Sequence, residues 1–268
     1  MDMDTPKRDQ AGKRHRSFSQ FKTMSRCGEQ YRLQRTVDLP RSPSAAMALG
    51  SAFHANYEQW ELENRSWPLM ERFTGEYEME IARLKVEQPN PNYWGKTARV
   101  KEVETDIAIR HENGLLMSES YEEHCSESTW VLYRSPNGKP GLEYHFEIDL
   151  GDFTFRGAID SLLLWPSGNL TIRDLKTGVR EISGFQLGVY SYALRKQSIE
   201  ANFGEFYYTK DGVSTAYDLS RYSDAYVVDQ LTKLDAMIMK EEYLVTPGDY
   251  CRFCGVKDWC REMGELAA

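Results

Sequence analysis

Two runs rich in β-branched and aromatic residues, 153–165 and 170–176, stand on either side of Pro166-Ser167-Gly168-Asn169. A turn-forming cluster between two such runs predicts an antiparallel hairpin. With the turn centred near Ser167, residues whose numbers sum to about 334 face each other across the ladder. Asp160 then opposes Asp174, with α-carbons within about 5.5 Å. Alternation puts Lys176 on the face of Asp174 and Leu175 on the other. Two opposed carboxylates repel unless a cation lies between them, and hard oxygen ligands suit Mg²⁺ or Mn²⁺. Such a metal polarises a phosphodiester and lowers the pKa of a bound water. Lys176, one strand step away, is placed to orient that water or stabilise developing charge. An Asp and a Lys at i, i+2 of an exposed strand also form plain solvated pairs, so these residues alone leave both readings open.

The rest of the chain builds a fold around that hairpin. Residues 1–16 are polar, charged and aperiodic, which predicts a disordered basic tail. Ser17 or Ser19 can cap a helix running to Arg35, with Phe18, Phe21, Met24, Tyr31 and Leu33 on its apolar side and a break at Pro40–Pro43. A second helix is expected over 45–63, where Met47, Leu49, Phe53, Tyr57 and Trp60 recur at helical spacing. Further helices are expected at 68–87 and 96–123, separated by Pro89-Asn90-Pro91-Asn92. Near Ser128 the pattern changes, and 129–134 and 142–150 read as strands. After the hairpin, Thr177-Gly178 ends the strand and Ser183 can cap a helix through Lys196. Strands at 204–210 and 214–219 pair about Asp211-Gly212, and a helix at about 223–242 precedes a cysteine-rich end. The expected class is α/β (α+β): a central mixed β-sheet flanked by helices, in one domain over 17–268.

The net charge of −8 argues weakly against a nucleic-acid partner, but it is unevenly distributed. Residues 1–41 hold ten Lys/Arg against five acids, +5, while the remaining 227 residues carry 23 basic and 36 acidic groups, −13. A basic arm on an acidic body can track phosphates while the body holds metal; a solvated tail explains the same charge. No run of about 18 apolar residues predicts a membrane span, and Met1–Gln10 lacks the apolar stretch of a signal peptide. The expected location is the cytoplasm, or the host cytoplasm for a viral chain.

Other residues bear on the carboxylates. His54 ends Gly50-Ser51-Ala52-Phe53-His54 in the second helix, Glu143 precedes the hairpin, and Gln186 and Tyr190 stand i, i+4 on one helix face. Singly, each has an ordinary explanation in packing or surface decoration. Together, in this order, they resemble the RecB-like branch of the PD-(D/E)XK nuclease superfamily: Gly50…His54, Gly157-Ala-Ile-Asp160, Asp174-Leu-Lys176-Thr-Gly178 and Gln186-Leu-Gly-Val-Tyr190. The resemblance spans roughly residues 17–262. It implies that His54, Asp160, Asp174 and the Leu175 carbonyl hold a divalent metal, that Lys176 assists the attacking water, and that Gln186 and Tyr190 position DNA or the lysine. Glu143 is a looser match, with Glu147 as the other candidate acid.

Cys251-x2-Cys254-x5-Cys260 is a tight cluster, with Cys27 far away in sequence. Four thiolates hold either Zn²⁺ or a 4Fe–4S cluster, and structural zinc usually uses two short Cys pairs, which this spacing lacks. One distant Cys plus a C-terminal trio resembles the iron–sulfur subset of RecB-like nucleases, which includes the AddB nuclease domain and CRISPR-associated exonucleases. In that subset the cluster joins the N- and C-terminal helical parts. Zinc and free thiols remain the other readings, and Cys125 is left over as a partly buried thiol.

The resemblance implies a stand-alone DNA exonuclease acting on single-stranded or free ends; there is no GxxxxGK[ST] phosphate loop. A non-catalytic DNA- or partner-binding module and an iron–sulfur redox protein are the competing classes. Nothing in the sequence reads a 2′-hydroxyl, so RNA also stays open as substrate.

Overall fold

The computed structural model describes residues 13–40, 42–97 and 99–262. In chain order these form β1 (Arg14–Arg16), α1 (Phe18–Arg26), α2 (Gly28–Arg35), α3 (Ala45–Leu62), α4 (Met70–Glu87), α5 (Val103–Glu127), β2 (Val131–Leu132), β3 (Leu142–Asp149) and β4 (Phe153–Leu164). β5 (Leu170–Lys176), α6 (Phe185–Arg195), β6 (Phe203–Tyr208), β7 (Val213–Asp218) and α7 (Asp224–Met239) follow, with 3₁₀ turns at Pro91–Tyr93, Asp249–Phe253 and Lys257–Trp259. The result is a mixed α/β fold with a mixed sheet and flanking helices, as expected. The chain divides into two compact units, one of residues 1–40, 145–157 and 222–268, the other of 41–144 and 158–221.

In the first unit, β1 pairs in parallel with the start of β4, Arg14 opposite Phe153 and Arg16 opposite Phe155. Of the disordered tail expected over 1–16, residues Arg14–Arg16 form a strand instead, and residues 1–12 lie outside the described residues. Arg16 is buried and donates to Asp235 of α7 at 2.7 Å, Arg14 reaches the same carboxylate at 2.9 Å, and Lys13 pairs with Asp149. Basic residues expected to track phosphates are here tied to carboxylates of the body.

The helix expected from Ser17 to Arg35 breaks at Cys27, which is extended (φ −161°, ψ 112°) between α1 and α2. The break has a tertiary cause. A Cβ on Gly28 would lie 2.6 Å from the Leu244 backbone nitrogen, and Glu29 N–H donates to Leu244 O. The chain leaving α7 crosses there, where helix propensity alone would continue.

The second unit holds the three long helices α3, α4 and α5. Ser44 caps α3 by accepting from Met47 N–H at 3.3 Å. Phe53, Tyr57 and Trp60 of α3 are buried with Phe73 and Tyr77 of α4 and Tyr121 of α5. Burying each aromatic stabilises by about 1.5–3 kcal/mol. Two of the polar groups among them are paired, Asn56 Nδ2 donating to Leu69 O at 2.6 Å and Trp60 Nε1 to Trp67 O at 2.7 Å, while Asn56 Oδ1 is buried without a hydrogen bond. α5 begins at Val103 rather than at 96, because Gly95 bridges Ser44 and Thr97 donates to the buried Asp106. The strand expected over 129–134 shortens to β2, with a separate bridge from Arg134 to Pro140.

The hairpin register is as expected, Ser161 opposite Arg173 through Leu164 opposite Leu170. Gly168 takes the left-handed φ (+82°) that the turn requires. β5 lies between β4, antiparallel, and β6, parallel, and is buried from Leu170 to Leu175. α6 makes the crossover, and β6 and β7 form the hairpin expected about Asp211-Gly212. No helix among the described residues is long and apolar enough to cross a membrane.

Candidate active site

The site lies in the second unit, and β4 and β5 carry its centre. Asp160 is one step beyond the Ser161–Arg173 pair, and its Oδ2 accepts from Leu175 N–H at 2.6 Å. Leu175, expected to offer its carbonyl, also meets the site through its N–H. α3 brings His54, whose Nδ1 is 3.7 Å from Asp160 Oδ1 and 3.8 Å from Glu143 Oε1. One turn earlier, a Cβ on Gly50 would lie 3.2 Å from Thr177 Oγ1, so a small residue there lets α3 approach the end of β5.

Ligand atoms of His54, Glu143 and Asp160 all lie within 4.8 Å of one another. Glu143 reaches this position with φ of +39°, a left-handed conformation costly for a residue with a Cβ. Of the two candidate acids it is therefore Glu143 that joins the site; Glu147 is exposed and pairs with Arg156.

Asp174 and Lys176 share a face, their Oδ2 and Nζ 2.6 Å apart. Gln186 ties them to α6. Its Nε2 donates to Asp174 Oδ1 and to Tyr190 Oη, both at 2.7 Å, while its Oε1 accepts from Lys176 Nζ at 3.1 Å. Glu181 is 3.7 Å from Lys176 Nζ and largely buried. The sequence reading missed it, since it sits in a loop where no periodicity marks a partner.

The electrostatics describe a cluster of acids short of positive charge. Burial raises the Asp160 carboxyl, Asp174 and Glu143 raise it further, and His54 opposes them without prevailing. Burial likewise raises Asp174 against the pull of Lys176 and His54. Burial would strip the proton from His54, but Asp160, Glu143 and Asp174 outweigh it and push the imidazole up to about 9. Lys176 is treated the same way: burial favours the neutral amine, but Asp174 and Glu181 raise it, so it stays an ammonium. Asp174 Oδ2 is buried against the Lys176 ammonium. One imidazole nitrogen among several crowded carboxylates fits a divalent cation.

In the first unit, Cys27, Cys251, Cys254 and Cys260 line one cavity, walled also by Leu33, Val245, Pro247 and Val256. Burial raises the Cys254 thiol, and Cys251 and Cys27 raise it further. Cys125 is elsewhere, buried on α5 and pushed up to about 12 by burial.

Residues 15–261 match the PD-(D/E)XK nuclease superfamily. The chain belongs to that superfamily. Membership makes it, by family, a metal-dependent nuclease with DNA as the implied substrate. This PD-(D/E)XK chain is also 29% identical to the gene 69 protein of Mycobacterium phage D29, over 91% of its own length and 96% of the relative's. The gene 69 protein of Mycobacterium phage L5 is likewise 29% identical, over 91% and 95% of the two chains. Among solved structures, SSO0001 aligns with 68% of this PD-(D/E)XK chain and 80% of its own at 13% identity, with a TM-score of 0.36.

Proposed function

We propose that this chain is a RecB-like exonuclease that hydrolyses the phosphodiester bonds of DNA from single-stranded ends. The observation that carries the reading is the His54–Glu143–Asp160 group beside an Asp174–Lys176 pair already held in place by Gln186. His54, Asp160 and Asp174, with Glu143 and the Leu175 carbonyl, would hold Mg²⁺ or Mn²⁺. Once bound, the metal supplies Lewis acidity toward the phosphate and lowers the pKa of a water. Lys176 keeps its proton, so it acts as a fixed positive charge and hydrogen-bond donor toward the attacking water or the phosphate oxygens. Gln186 and Tyr190 keep Asp174 and Lys176 from drifting as charge builds.

Four cysteines on one cavity favour a 4Fe–4S cluster that joins the start of α2 to the end of the chain. Its role here is structural, because ligand binding adds directly to folding stability.

End-labelled linear and covalently closed circular single-stranded DNA, incubated with Mg²⁺ or Mn²⁺, test the activity. The linear form should be degraded and the circle spared, and Asp174→Ala should bind ends without degrading them. Rapid cutting of the circle would overturn the exonuclease assignment; inertness on every DNA would favour the non-catalytic binding module. Broad visible absorbance of anaerobically purified protein supports the cluster, and a colourless zinc protein would overturn it.

A further inference from the structure

The segment between β5 and α6, residues 177–184, is tied down by its charged residues and leaves its large aliphatic ones in water. Arg180 pairs with Asp211 at 2.6 Å and lies over the Tyr208 ring, 4.7 Å from its centroid. Glu181 N–H donates to Tyr208 Oη at 2.9 Å, and its carboxylate faces Lys176. At the far end, a Cβ on Gly184 would lie 2.5 Å from the Tyr217 ring, so the loop closes tightly on β7. Between these anchors Val179 is 90% exposed and Ile182 fully exposed.

Single exposed aliphatics are ordinary on protein surfaces. These two flank the residues that tether the loop, and they begin three positions after Lys176. With the loop tethered on both sides beside the site, the two side chains stay in water. Neither side chain can recognise a phosphate or a sugar hydroxyl; the part of a nucleic acid that fits an aliphatic group is the face of a base. We propose that Val179 and Ile182 form an apolar wedge that contacts the bases of the DNA strand held at Lys176. This rests on the DNA-nuclease reading above. The phosphates would be handled by the charged site and the bases by the loop, so the wedge favours a strand whose bases are unpaired.

The test compares wild type with the Val179→Ser/Ile182→Ser double variant on end-labelled oligodeoxythymidine, with Ca²⁺ in place of the active metal. The same strand with abasic terminal positions is the second substrate. The double variant should bind intact DNA about tenfold more weakly and should lose little on the abasic strand. Its slope of log affinity against log salt should match wild type, because no phosphate contact is removed. Ile182→Trp should bind intact DNA more tightly, a gain that misfolding cannot produce. Equal binding of intact DNA by all variants overturns the wedge, as does an equal loss on abasic DNA or a shallower salt slope. If wild type degrades DNA while any of these results is obtained, only the wedge fails; if wild type neither binds nor degrades DNA, both readings fail.

Discussion

The Gln186 side-chain amide donates a 2.7 Å hydrogen bond to Asp174 Oδ1. Its other contacts, from Lys176 to its oxygen and from its nitrogen to Tyr190, fix which way the amide points. Gln186→Glu replaces two donors by acceptors and sets a carboxylate against Asp174, whereas Gln186→Ala only removes the tie. Losing one such bond to a charged group costs about 1.5–3 kcal/mol, roughly tenfold to a hundredfold in rate. The expected order of kcat with Mn²⁺ is wild type above Gln186→Ala above Gln186→Glu, with Tyr190→Phe closer to wild type. A Gln186→Glu enzyme as fast as wild type would remove Gln186 from the site's working parts.

As a metal ligand, His54 should set a pH dependence on metal binding. Burial opposes its charge, but the carboxylates around it raise its pKa to about 9, so below that pH the metal-free ring is protonated. A metal needs the neutral ring nitrogen, so binding releases that proton. The apparent Mn²⁺ affinity should rise with pH, by up to about tenfold per unit between about 6.5 and 8.5. Titration calorimetry in buffers of different ionisation enthalpy counts the released protons, and His54→Gln should reduce that count. An affinity independent of pH in wild type would count against His54 as a ligand.

Much of this site was legible because strand geometry leaves few options. The turn at Pro166–Asn169 sets a register that brings Asp160 to Asp174, and α6 carries Gln186 and Tyr190 on one face. The choice between Glu143 and Glu147 was not legible. They are an even number of residues apart on β3, so alternation treats them alike, and only the position of α3 brings His54 to one of them. The break at Cys27 has the same character, since it depends on where Leu244 passes. Glu181 was hidden because loops carry no period.

Arg173 neighbours Asp174 in sequence but serves stability. It is 1% exposed, donates to Glu205 at 2.6 Å and to Tyr121 Oη at 3.3 Å, and its guanidinium lies near the rings of Trp130 and Tyr207. Arg173→Met leaves Glu205 without its partner, which should cost about 3–5 kcal/mol and lower Tm by roughly 10 °C. Arg173→Met/Glu205→Gln should recover part of that loss. If thermal melts place the single variant within about 2 °C of wild type, the buried pair is not what holds β5 to β6.

Cys125 should behave unlike the other four cysteines. Burial raises its pKa to about 12, so at pH 8 only about one part in 10⁴ is thiolate, the form that alkylates. Cys27, Cys251, Cys254 and Cys260 line a cavity instead, and under the cluster proposal a chelator that removes the metal should free all four. Native protein treated with chelator and then iodoacetamide at pH 8 should therefore gain four carbamidomethyl groups quickly and the fifth only after denaturation, with peptide mapping assigning the slow site to Cys125. The same shift bears on alkaline stability. The folded state holds the Cys125 proton more tightly than the unfolded chain, so this contribution is complete below about pH 9 and is lost as pH rises toward about 12. Cys125→Ala should flatten that part of the alkaline melting curve. Fast labelling of Cys125 in the native protein would mean that the end of α5 opens to solvent, contrary to the packing described for it.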